Sequence, residues 1–483
     1  MGVFGVCGTR SQYFWRSDSR NRYEVGQPIN YKNRKNQNIA RQGERKKYLT
    51  DIGRKEVRNK IIKQKGDLLA ALDIGSTKTC CFIARVENFK NQIGNNDLPK
   101  FSVLGIGHKA SEGVRGGAIV DMEASEISIR RAVQAAETMA KETIGNVCVN
   151  LSGGAPTSHS LGAEVLINGH RIVDADLDTI LGQGKTTHID EGSELIHLFP
   201  IDFCIDGHRG IKDPRGMSGQ NLSATMHMVT ALSGPIRNST VVVERCHLKA
   251  ESFVVSPYAS GLACLVEDEM DLGATVVDMG GGTTTIAIFF DGNVVFTDCI
   301  PLGGKHITND IARGLSTSIV NAERIKTLHG NAFLSPFEDR DTIEIPQIGE
   351  ENGSPPNLVA KSKVIQIIQP RVEETLELVR ESISNSGFEG IAGHRIVLTG
   401  GASQLPGMRE IVQEKFKKQV RVGKPLRVNG LADSVSGPAF STCVGLLSYA
   451  VDTGFDRSKI IGSGQNEPTG MLGRVSSWIR ENF

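Results

Sequence analysis

The chain has 483 residues, of which 39% are apolar and 23% charged, with a formal net charge of +1. A typical domain has about 100–200 residues, so two or more lobes with their own cores are expected. No run of about 18 apolar residues is present, which excludes a membrane-spanning helix of ordinary composition. The nine cysteines contain no CxxC pair, so neither a disulfide framework nor a zinc site is expected.

The charge is distributed unevenly along the chain. Residues 1–66 contain 17 Lys or Arg against 5 Asp or Glu, whereas the remainder is acidic. This segment is also rich in Asn and Gln and poor in aliphatic residues, which predicts a disordered basic arm. Two interpretations stay open for the arm, a solvated tail without a dedicated partner and a contact with an anionic surface.

Two segments share one layout, LLAALDIGSTKTCCFIARV at 68–86 and GATVVDMGGGTTTIAIFFDGNVV at 273–295. Each contains an apolar strand, the pattern Asp-x-Gly, small polar residues and a second apolar strand. Continuous apolar runs on both sides of the turn indicate buried strands. No helix pattern follows the glycines directly, which distinguishes these segments from a P-loop or a Rossmann turn.

The residue types in these two turns suit phosphate binding. Glycine lets the backbone approach a phosphate, and successive backbone N–H groups form an anion cradle. Hydroxyl donors and a lysine lie in the turns, and a carboxylate ends each first strand, where it can hold a hydrated Mg²⁺. A single Asp-x-Gly turn is more often a plain hairpin, but its duplication favours phosphate binding. The residues are Ser76, Thr77, Lys78, Thr283 and Thr284, with Asp73 and Asp278 for the metal.

Between the two turns, the sequence predicts a small α/β module over residues 87–159. VLGIGHKASEGVRGGAIVDMEASEISIRRAVQAAETMA, followed by VCVNLSGGAPTSHS, indicates a strand, a Gly-rich turn, a helix and another strand. The apolar residues Ile129, Val133, Ala136 and Ala140 recur at helical spacing. We therefore expect this module to have its own core.

Two later elements have features of a nucleotide site. In NAERIKTLHG, Glu323 and Lys326 share a helix face and could contact a ribose and an adenine edge, although such a pair is commonly a surface ion pair. The segment HRIVLTGGASQLPGMREIVQEKF predicts a strand at 395–399, then Gly400 and Gly401, then a helix from near Leu405. The two glycines would let a base or a ribose lie against the backbone.

Between these two elements, residues 328–390 form an insertion with an acidic, Pro-rich loop and a helix. The apolar positions Val372, Leu376, Val379 and Ile383 predict one buried face. Charged side chains remain on the outside of this helix and are available to a partner or simply to solvent. They include Arg371, Glu374 and Arg380.

The C-terminal end is predicted to consist of a flexible linker over 452–469 and an amphipathic helix over 470–483. On a helical wheel the apolar side chains form one arc, flanked by two arginines that can reach lipid phosphates. Thirteen helical residues span only about 20 Å, so the helix would lie in a membrane interface. Docking on the protein's own body is the alternative. The membrane-contact residues are Met471, Leu472, Arg474, Val475, Trp478, Ile479, Arg480 and Phe483.

Together the two turns, the Gly-Gly pair and the Glu323/Lys326 helix resemble the ATPase superfamily of actin, Hsp70 and the sugar kinases. Within it, the segments VVDMGGGTTTIAIFFDGNVVFTDCIPLGGKHITNDIARGL and AERIKTLHG, with the 87–159 module, resemble the FtsA family of bacterial cell-division proteins. The resemblance runs from about Leu68 to Phe483. It implies a two-lobed α/β fold, actin-like and related to ribonuclease H, with an inserted α/β subdomain. The implied subdomains are IA (67–86, 160–267 and 430–451), IC (87–159), IIA (268–327 and 391–429) and IIB (328–390).

The resemblance also implies a function. By this resemblance the protein would bind ATP and Mg²⁺ and would polymerise. It would tether the tubulin-like FtsZ ring to the cytoplasmic face of the inner membrane at the division site. The implied partners are the FtsZ C-terminal peptide at 328–390, further copies of the chain, later division proteins at 87–159 and membrane lipids, without nucleic acid. The implied nucleotide site contains Asp73, Gly75, Ser76, Thr77, Lys78, Asp278, Gly281, Gly282, Thr283, Thr284, Gly304, Lys305, Glu323, Lys326, Gly400, Gly401 and Ala402.

No catalytic residue is predicted. In actin-like folds the residue that positions the attacking water lies on the strand and helix before the second phosphate turn. Around Pro257 to Gly261 there is no Gln, Glu or Asp, and Glu267 and Asp268 follow an apolar helix. At most slow ATP hydrolysis is therefore expected. Two other classes stay open, an enzyme of the sugar-kinase or chaperone type and an actin-like assembly factor for pili.

Overall fold

The computed structural model describes residues 66–87, 101–186, 189–333, 341–348, 357–426 and 428–462, with side chains as far as Asp452. Except for Gly66, the predicted basic arm lies outside the described residues. The helix predicted over 470–483 also lies outside them, so its amphipathic character stays a prediction.

The first lobe is built on a five-stranded sheet with the spatial order β11-β6-β1-β2-β3. The pairs β1-β2 and β2-β3 are antiparallel, whereas β1-β6 and β6-β11 are parallel. Its strands are β1 (Leu68–Ile74), β2 (Lys78–Val86), β3 (Phe101–Ala110), β6 (Asn146–Leu151) and β11 (Lys249–Val255).

Helices cover both faces of this sheet, which explains the continuous apolar runs of its central strands. One face packs against α1 and α3 through Ile129, Ala132, Val242 and Val243. The other packs against α4 and α10 through Ala259 and Val444. These helices are α1 (Met122–Ala140), α3 (Ser233–Arg245), α4 (Ser256–Cys264) and α10 (Ser441–Gly462).

The prediction that residues 87–159 form a separate module is wrong. Strands β3 and β6 pair with β2 and β1, and α1 packs on that same sheet, so this stretch is part of the first lobe. The described part of this stretch also contains a short hairpin, β4 (Val114–Arg115) with β5 (Ala118–Ile119), whose Val114 and Ile119 belong to the same core. The apolar stripe of α1 indicated a buried face correctly, but that face is buried by the lobe's own strands.

The inserted subdomain lies further along the chain, within the range predicted for IA. A four-stranded antiparallel sheet with the order β7-β10-β8-β9 packs against one helix. Its separate core includes Ile167, Ile180, Leu222 and Met226. The elements are β7 (Thr157–Leu166), α2 (Asp174–Thr186), β8 (Ser193–Ile205), β9 (His208–Ile211) and β10 (Asn221–Leu232).

The second lobe repeats the sheet of the first. Its order β14-β13-β12-β17-β18 has the same sequence of two antiparallel and two parallel pairings. The duplication seen in the two turns therefore extends to the whole sheet, and the two-lobed α/β architecture is confirmed. The strands are β12 (Ala274–Met279), β13 (Thr284–Phe290), β14 (Asn293–Ile300), β17 (Arg395–Thr399) and β18 (Gln419–Val422).

Helices and a small hairpin complete the second lobe. The predicted buried face of α8 is confirmed, because Val372, Leu376, Val379 and Ile383 are all in the core. A 3₁₀ turn over Gly401–Gln404 delays α9 to Met408, three residues after the predicted start. The elements are α5 (Glu267–Leu272), α6 (Gly304–Gly314), α7 (Ile319–His329), β15 (Thr342–Ile345), β16 (Asn357–Ala360), α8 (Lys361–Asn385) and α9 (Met408–Phe416).

Helix α10 continues to Gly462, so the linker predicted from residue 452 cannot begin there. Tyr449 and Ala450, just before the predicted start of the linker, pack against the apolar core. None of the helices in the described part of the chain combines the length and the apolar composition needed to cross a membrane.

Helices α4 and α10 cross at a close approach that requires glycine. A Cβ added at Gly445 would lie 1.7 Å from the carbonyl oxygen of Ala259. The carbonyl belongs to the backbone and a Cβ is bonded to the backbone, so the overlap can be relieved only by moving one helix away from the other. We therefore expect Gly445→Ala to lower the free energy of unfolding by about 3 kcal/mol. Gly182→Ala is the control, because a Cβ there meets nothing within 4 Å. It should be neutral or stabilise the helix by up to about 1 kcal/mol. Urea denaturation of both variants checks this difference, which equal stabilities would contradict.

Candidate functional site

The two predicted phosphate turns have the same geometry. Asp73 pairs with Cys80 across the first hairpin, and Asp278 pairs with Thr285 across the second, seven residues on in each case. Each turn is closed by one backbone hydrogen bond, from Gly75 N to Lys78 O at 3.0 Å and from Gly280 N to Thr283 O at 2.9 Å. A duplicated register thus places two equivalent glycine turns at the ends of two equivalent strands.

These turns meet across the cleft between the lobes. A Cβ added at Gly281 would lie 2.4 Å from Thr77 Oγ1, and one at Gly282 would lie 2.3 Å from Ser76 Oγ. The contact therefore depends on the missing side chains. Between the turns lies a cavity of ≈ 150 Å³, the phosphate cavity, which both lobes line.

Two buried carboxylates face this cavity. Burial raises the pKa of Asp73 to about 6, with Lys78 lowering it and Asp278 raising it further. Burial also raises the pKa of Asp278, although hydrogen bonds to its Oδ2 from Ser260 at 2.5 Å and Thr442 at 3.0 Å oppose the shift. The protein thus places two carboxyl groups together where their charged forms are costly.

The donor set fits a hydrated Mg²⁺. A nearby divalent cation would stabilise both carboxylates, and Mg²⁺ keeps most of its waters while taking few protein ligands. Thr285 also lines the cavity, and its buried Oγ1 has no hydrogen-bond partner among the described residues. In the described part of the chain, no group of three or more His, Cys, Asp or Glu side chains could hold a metal. The ion would therefore need phosphate oxygens and water as further ligands.

Lys78 lines the phosphate cavity and is fixed by a segment that the sequence did not connect with it. Its Nζ donates to the Ala439 carbonyl and lies 3.7 Å from the centre of the Phe440 ring. Gly400 lines the same cavity with a backbone φ of 82°, and a Cβ added at Gly400 would lie 2.3 Å from Asp278 Oδ1. The charge that was predicted to contact phosphate is thus held by a carbonyl and an aromatic face.

A second cavity of ≈ 350 Å³, called the adenosine cavity after its predicted ligand, adjoins the first through Thr77, Gly281 and Gly401. Lys326 Nζ donates to Gly304 O at 3.1 Å and to Glu323 Oε2 at 2.8 Å in its wall. Glu323 and Lys326 therefore form an ion pair in the wall of this cavity, and their contact with a ribose and an adenine edge stays a prediction. The other predicted residues in this wall are Lys305 and Ala402.

Thr284 is the exception among the predicted nucleotide-binding residues. Its side chain is fully buried and donates to the Leu302 carbonyl at 2.8 Å, so it does not line either cavity. Neighbouring side chains on a strand point to opposite faces, and here Thr283 and Thr285 are on the cavity side. The prediction counts Thr284 among the turn residues, whereas β13 begins at Thr284 and its side chain lines neither cavity.

Sequence reasoning also missed a group of serines and an asparagine behind the phosphate cavity. Asn150 Oδ1 accepts from Ile74 N at 2.7 Å, and its Nδ2 donates to Ser152 and Ser256 at 3.2 Å each. The two hydroxyls are 2.6 Å apart and line the cavity. An Asn at the end of β6 beside a Ser-Gly-Gly turn was the available signal.

The position expected for a water-activating residue contains no acid. Ser256 begins α4 at the cavity, while Glu267 and Asp268 are exposed on α5. The titratable side chains of the phosphate cavity, in the described part of the chain, are Asp73, Lys78 and Asp278. None of these was predicted as a general base.

Arg371, predicted to contact a partner, is bound within the protein. Its Nε donates to Asp310 Oδ2 at 2.6 Å, its Nη2 to Oδ1 at 3.3 Å, and its Nη1 to Glu374. The guanidinium thus links α8 to α6, and Glu374 is also engaged. Arg380 stays exposed on the same helix.

We therefore expect Arg371→Ala to act on stability. Its side chain is 27% exposed and that of Asp310 is 22% exposed. Losing this bidentate pair should cost about 1 to 3 kcal/mol of unfolding free energy, whereas Arg380→Ala should change it by less than about 0.5 kcal/mol. Chemical denaturation checks both values. An Arg371→Ala protein as stable as wild type would contradict this assignment.

Two family models match the chain. One is described as "Cell division protein FtsA" and matches residues 275–445, and the other as "SHS2 domain inserted in FTSA" and matches residues 153–230. The second range coincides with β7, α2 and β8 to β10. It agrees with the position of the inserted subdomain in the structure and not with the predicted 87–159.

Curated relatives match over most of their length. Cell division protein FtsA of Agrobacterium fabrum (strain C58) is 42% identical over 425 residues, covering 87% of this chain and 96% of that protein. Its counterpart from Escherichia coli K12 is 32% identical over 426 residues, covering 86% and 98%. A solved chain of the PilM-PilN type IV pilus biogenesis complex has a TM-score of 0.55 at 15% identity, covering 79% and 98%, which shows a shared fold. With relatives of this identity and coverage, the chain belongs to the cell division protein FtsA family.

Proposed function

We propose that the cleft binds ATP with Mg²⁺. The observation that supports this best is the pair of equivalent glycine turns, which face each other across a cavity with two buried carboxylates. Backbone N–H groups of such turns suit phosphate oxygens, and Ser76, Thr77 and Thr283 add hydroxyl donors. The adjoining adenosine cavity, between Gly401 and Lys326, has room for a nucleoside.

Asp73 and Asp278 would hold the hydrated Mg²⁺, which would offset the phosphate charge when bound. The unpartnered Thr285 hydroxyl is placed to donate to a phosphate or to a water of the ion. Lys78 contributes a fixed positive charge at the same cavity. These residues bind and orient the phosphates, and none of them is assigned a proton-transfer step.

We infer that hydrolysis is slow. Phosphoryl transfer to water needs a group that positions the nucleophile, usually a Gln, Glu or Asp. Ser256 lies where such a group is expected, and its hydroxyl, 2.6 Å from that of Ser152, is a weak base. Bound nucleotide would then act mainly as a ligand that holds the two lobes together.

Equilibrium binding tests the nucleotide proposal. A fluorescent ATP analogue, displaced by unlabelled nucleotides, gives affinities with Mg²⁺ and with excess EDTA. We expect ATP to bind at micromolar concentrations or tighter, with at least tenfold weaker binding in EDTA. Binding that is absent, or equal with and without Mg²⁺, would contradict the proposed site.

We further propose that the protein polymerises, binds the C-terminal peptide of FtsZ through residues 328–390, recruits later division proteins and attaches peripherally to the inner membrane by its C-terminal helix. Family membership supports a role in division, since the relatives are named cell division proteins. We assign the recruitment of later division proteins to the inserted subdomain at 157–232, in place of the predicted range 87–159.

The FtsZ contact can be tested at α8. Arg380 is exposed there, whereas Arg371 and Glu374 bond each other. We expect Arg380→Glu to weaken binding of the FtsZ C-terminal peptide about tenfold without changing ATP affinity. Arg209→Glu, an exposed change on β9, is the control. Equal peptide affinity in both variants would place the contact elsewhere.

The kinase alternative is not favoured by the groove in which a phosphoryl acceptor would lie. Asp310 is the one carboxylate among the residues that the structure describes in the lining of this groove. Both of its oxygens accept hydrogen bonds from Arg371. A sugar kinase needs a free carboxylate as base for the acceptor hydroxyl, and the described lining of the groove offers none. The likeness to a pilus-assembly structure extends to the fold and supports no shared partner.

A further inference from the structure

A groove of ≈ 720 Å³ lies between the lobes beside the phosphate cavity. Its first wall is the β4-β5 hairpin with Arg115, and its second is the face of α6 that contains Lys305, Asn309 and Arg313. These three residues recur every four positions and therefore share one side of the helix. We call this space the basic groove. Its volume is within the range of small-molecule sites.

The cations of the basic groove come from both lobes and are not neutralised locally. Arg115 and Arg313 are exposed, and neither they nor Lys305 forms an ion pair with any residue that the structure describes. Like charges facing one space repel each other, so an anion between them is favoured. The groove thus concentrates positive potential at the mouth of the cleft.

The side chains of the basic groove offer mainly donors. Asp310 is the carboxylate among the described lining residues, and its two oxygens accept from Arg371 at 2.6 and 3.3 Å. Asn309 and Ser76 add neutral polar groups. Such a lining suits a ligand that only accepts hydrogen bonds. A peptide also brings backbone N–H groups, for which this lining offers few side-chain acceptors beside the Asn309 amide oxygen.

The basic groove is continuous with the phosphate cavity. Ser76 and Gly282 line both spaces. Gly117 N donates to Ser76 Oγ at 2.9 Å, and a Cβ added at Gly282 would lie 3.2 Å from Gly116 N, so the hairpin closes the end of the phosphate turns. An anion in the groove would therefore lie next to the terminal phosphate of a nucleotide.

We propose that the basic groove is a second phosphate site, which adjoins the nucleotide site, shares Ser76, Gly282 and Lys305 with it and bridges the two lobes. It binds free phosphate or the phosphate group of a small phosphorylated molecule, with Arg115 contacting it from the first lobe and Lys305 and Arg313 from the second. Because these contacts cross the cleft, occupancy favours the closed arrangement of the lobes.

Calorimetric titration of the full-length protein, saturated with a non-hydrolysable ATP analogue and Mg²⁺, tests the site. The probes are inorganic phosphate, pyrophosphate and glycerol 3-phosphate at constant ionic strength. We expect saturable binding of at least one probe, weakened about tenfold by either Arg115→Gln or Arg313→Gln. Arg209→Gln, exposed on β9, should bind like wild type. Tighter binding of glycerol 3-phosphate than of inorganic phosphate indicates a phosphorylated molecule, and the reverse indicates free phosphate.

Three outcomes would overturn the proposal. They are equal affinities in wild type and in both groove variants, no saturable binding of any probe, and tighter binding of a tetraglutamate peptide than of pyrophosphate. The two variants change exposed side chains on different lobes, so a folding defect in one leaves the other informative. If the ATP analogue fails to bind, the proposed nucleotide site is contradicted. The basic groove is then tested by titrating the same probes into the protein without the analogue.

Discussion

Replacing Asp73 with Asn is expected to weaken Mg²⁺-dependent ATP binding and to stabilise the nucleotide-free protein. The Asn keeps the shape of the side chain but removes a charge that is buried beside Asp278. Loss of a group that orients a metal typically costs about 10- to 100-fold in metal affinity. Function and stability should therefore change in opposite directions.

The stability gain should depend on pH in a defined direction. Burial raises the pKa of Asp73 from 3.8 to about 6 in the folded protein. Neutral Asp73 thus favours folding fully below pH 4, and this contribution is lost as the pH rises through about 6. At pH 7.5 the Asp73→Asn variant should be more stable than wild type by about 1 to 3 kcal/mol, and the difference should shrink toward pH 5.

Urea denaturation at pH 5.0 and 7.5, with ATP affinity measured in parallel, checks both effects. Asp291→Asn is the matched control, because Asp291 is half exposed and paired with Lys212 at 2.9 Å on the surface. That change should alter stability by less than about 0.5 kcal/mol at either pH. Wild-type ATP affinity in Asp73→Asn, or a stability difference that does not vary with pH, would contradict the proposed role.

Alanine at Gly281 or Gly282 should separate the two lobes. The added Cβ would lie 2.4 Å from Thr77 Oγ1 or 2.3 Å from Ser76 Oγ, both on the opposite turn. The nearest way to relieve this overlap is to move the turns apart, which also separates the groups that would hold phosphate. We expect ATP affinity to fall at least tenfold and the free energy of unfolding to fall by no more than about 3 kcal/mol.

Gly145→Ala is the control for these glycine variants, since a Cβ at that position meets nothing within 4 Å. It should bind ATP like wild type. Small-angle scattering without nucleotide should show a larger radius of gyration for Gly281→Ala than for Gly145→Ala. Unchanged ATP affinity in both Gly281→Ala and Gly282→Ala would contradict a phosphate site between the turns.

Much of the candidate site could be predicted because its signals are local. The two Asp-x-Gly turns lie within single hairpins, so residue type, strand pattern and turn are readable in one short stretch. The Gly400-Gly401 pair and the Glu323/Lys326 face are local in the same way. All the predicted nucleotide residues except Thr284 line one of the two cavities.

The missed features depend on contacts between distant segments. Ser256 and Thr442 line the phosphate cavity, and Asn150 lies behind it, because β6, α4 and α10 converge there. The same is true of the Ala439 carbonyl that holds Lys78. No local pattern indicates which strand buries a helix face, and so α1 was assigned to a separate module. Thr284 was misassigned because strand alternation depends on the residue at which the strand begins.

One measurement tests the central claim, that an ATP-bound actin-like body tethers FtsZ to a membrane through its C-terminal helix. FtsZ is sedimented with vesicles that contain anionic lipid, in the presence of full-length protein or of a version ending at Pro468, with and without ATP. We expect FtsZ to pellet with the vesicles when full-length protein and ATP are both present, and to stay in the supernatant otherwise. Equal pelleting with the shortened protein, or equal pelleting without ATP, would contradict the account.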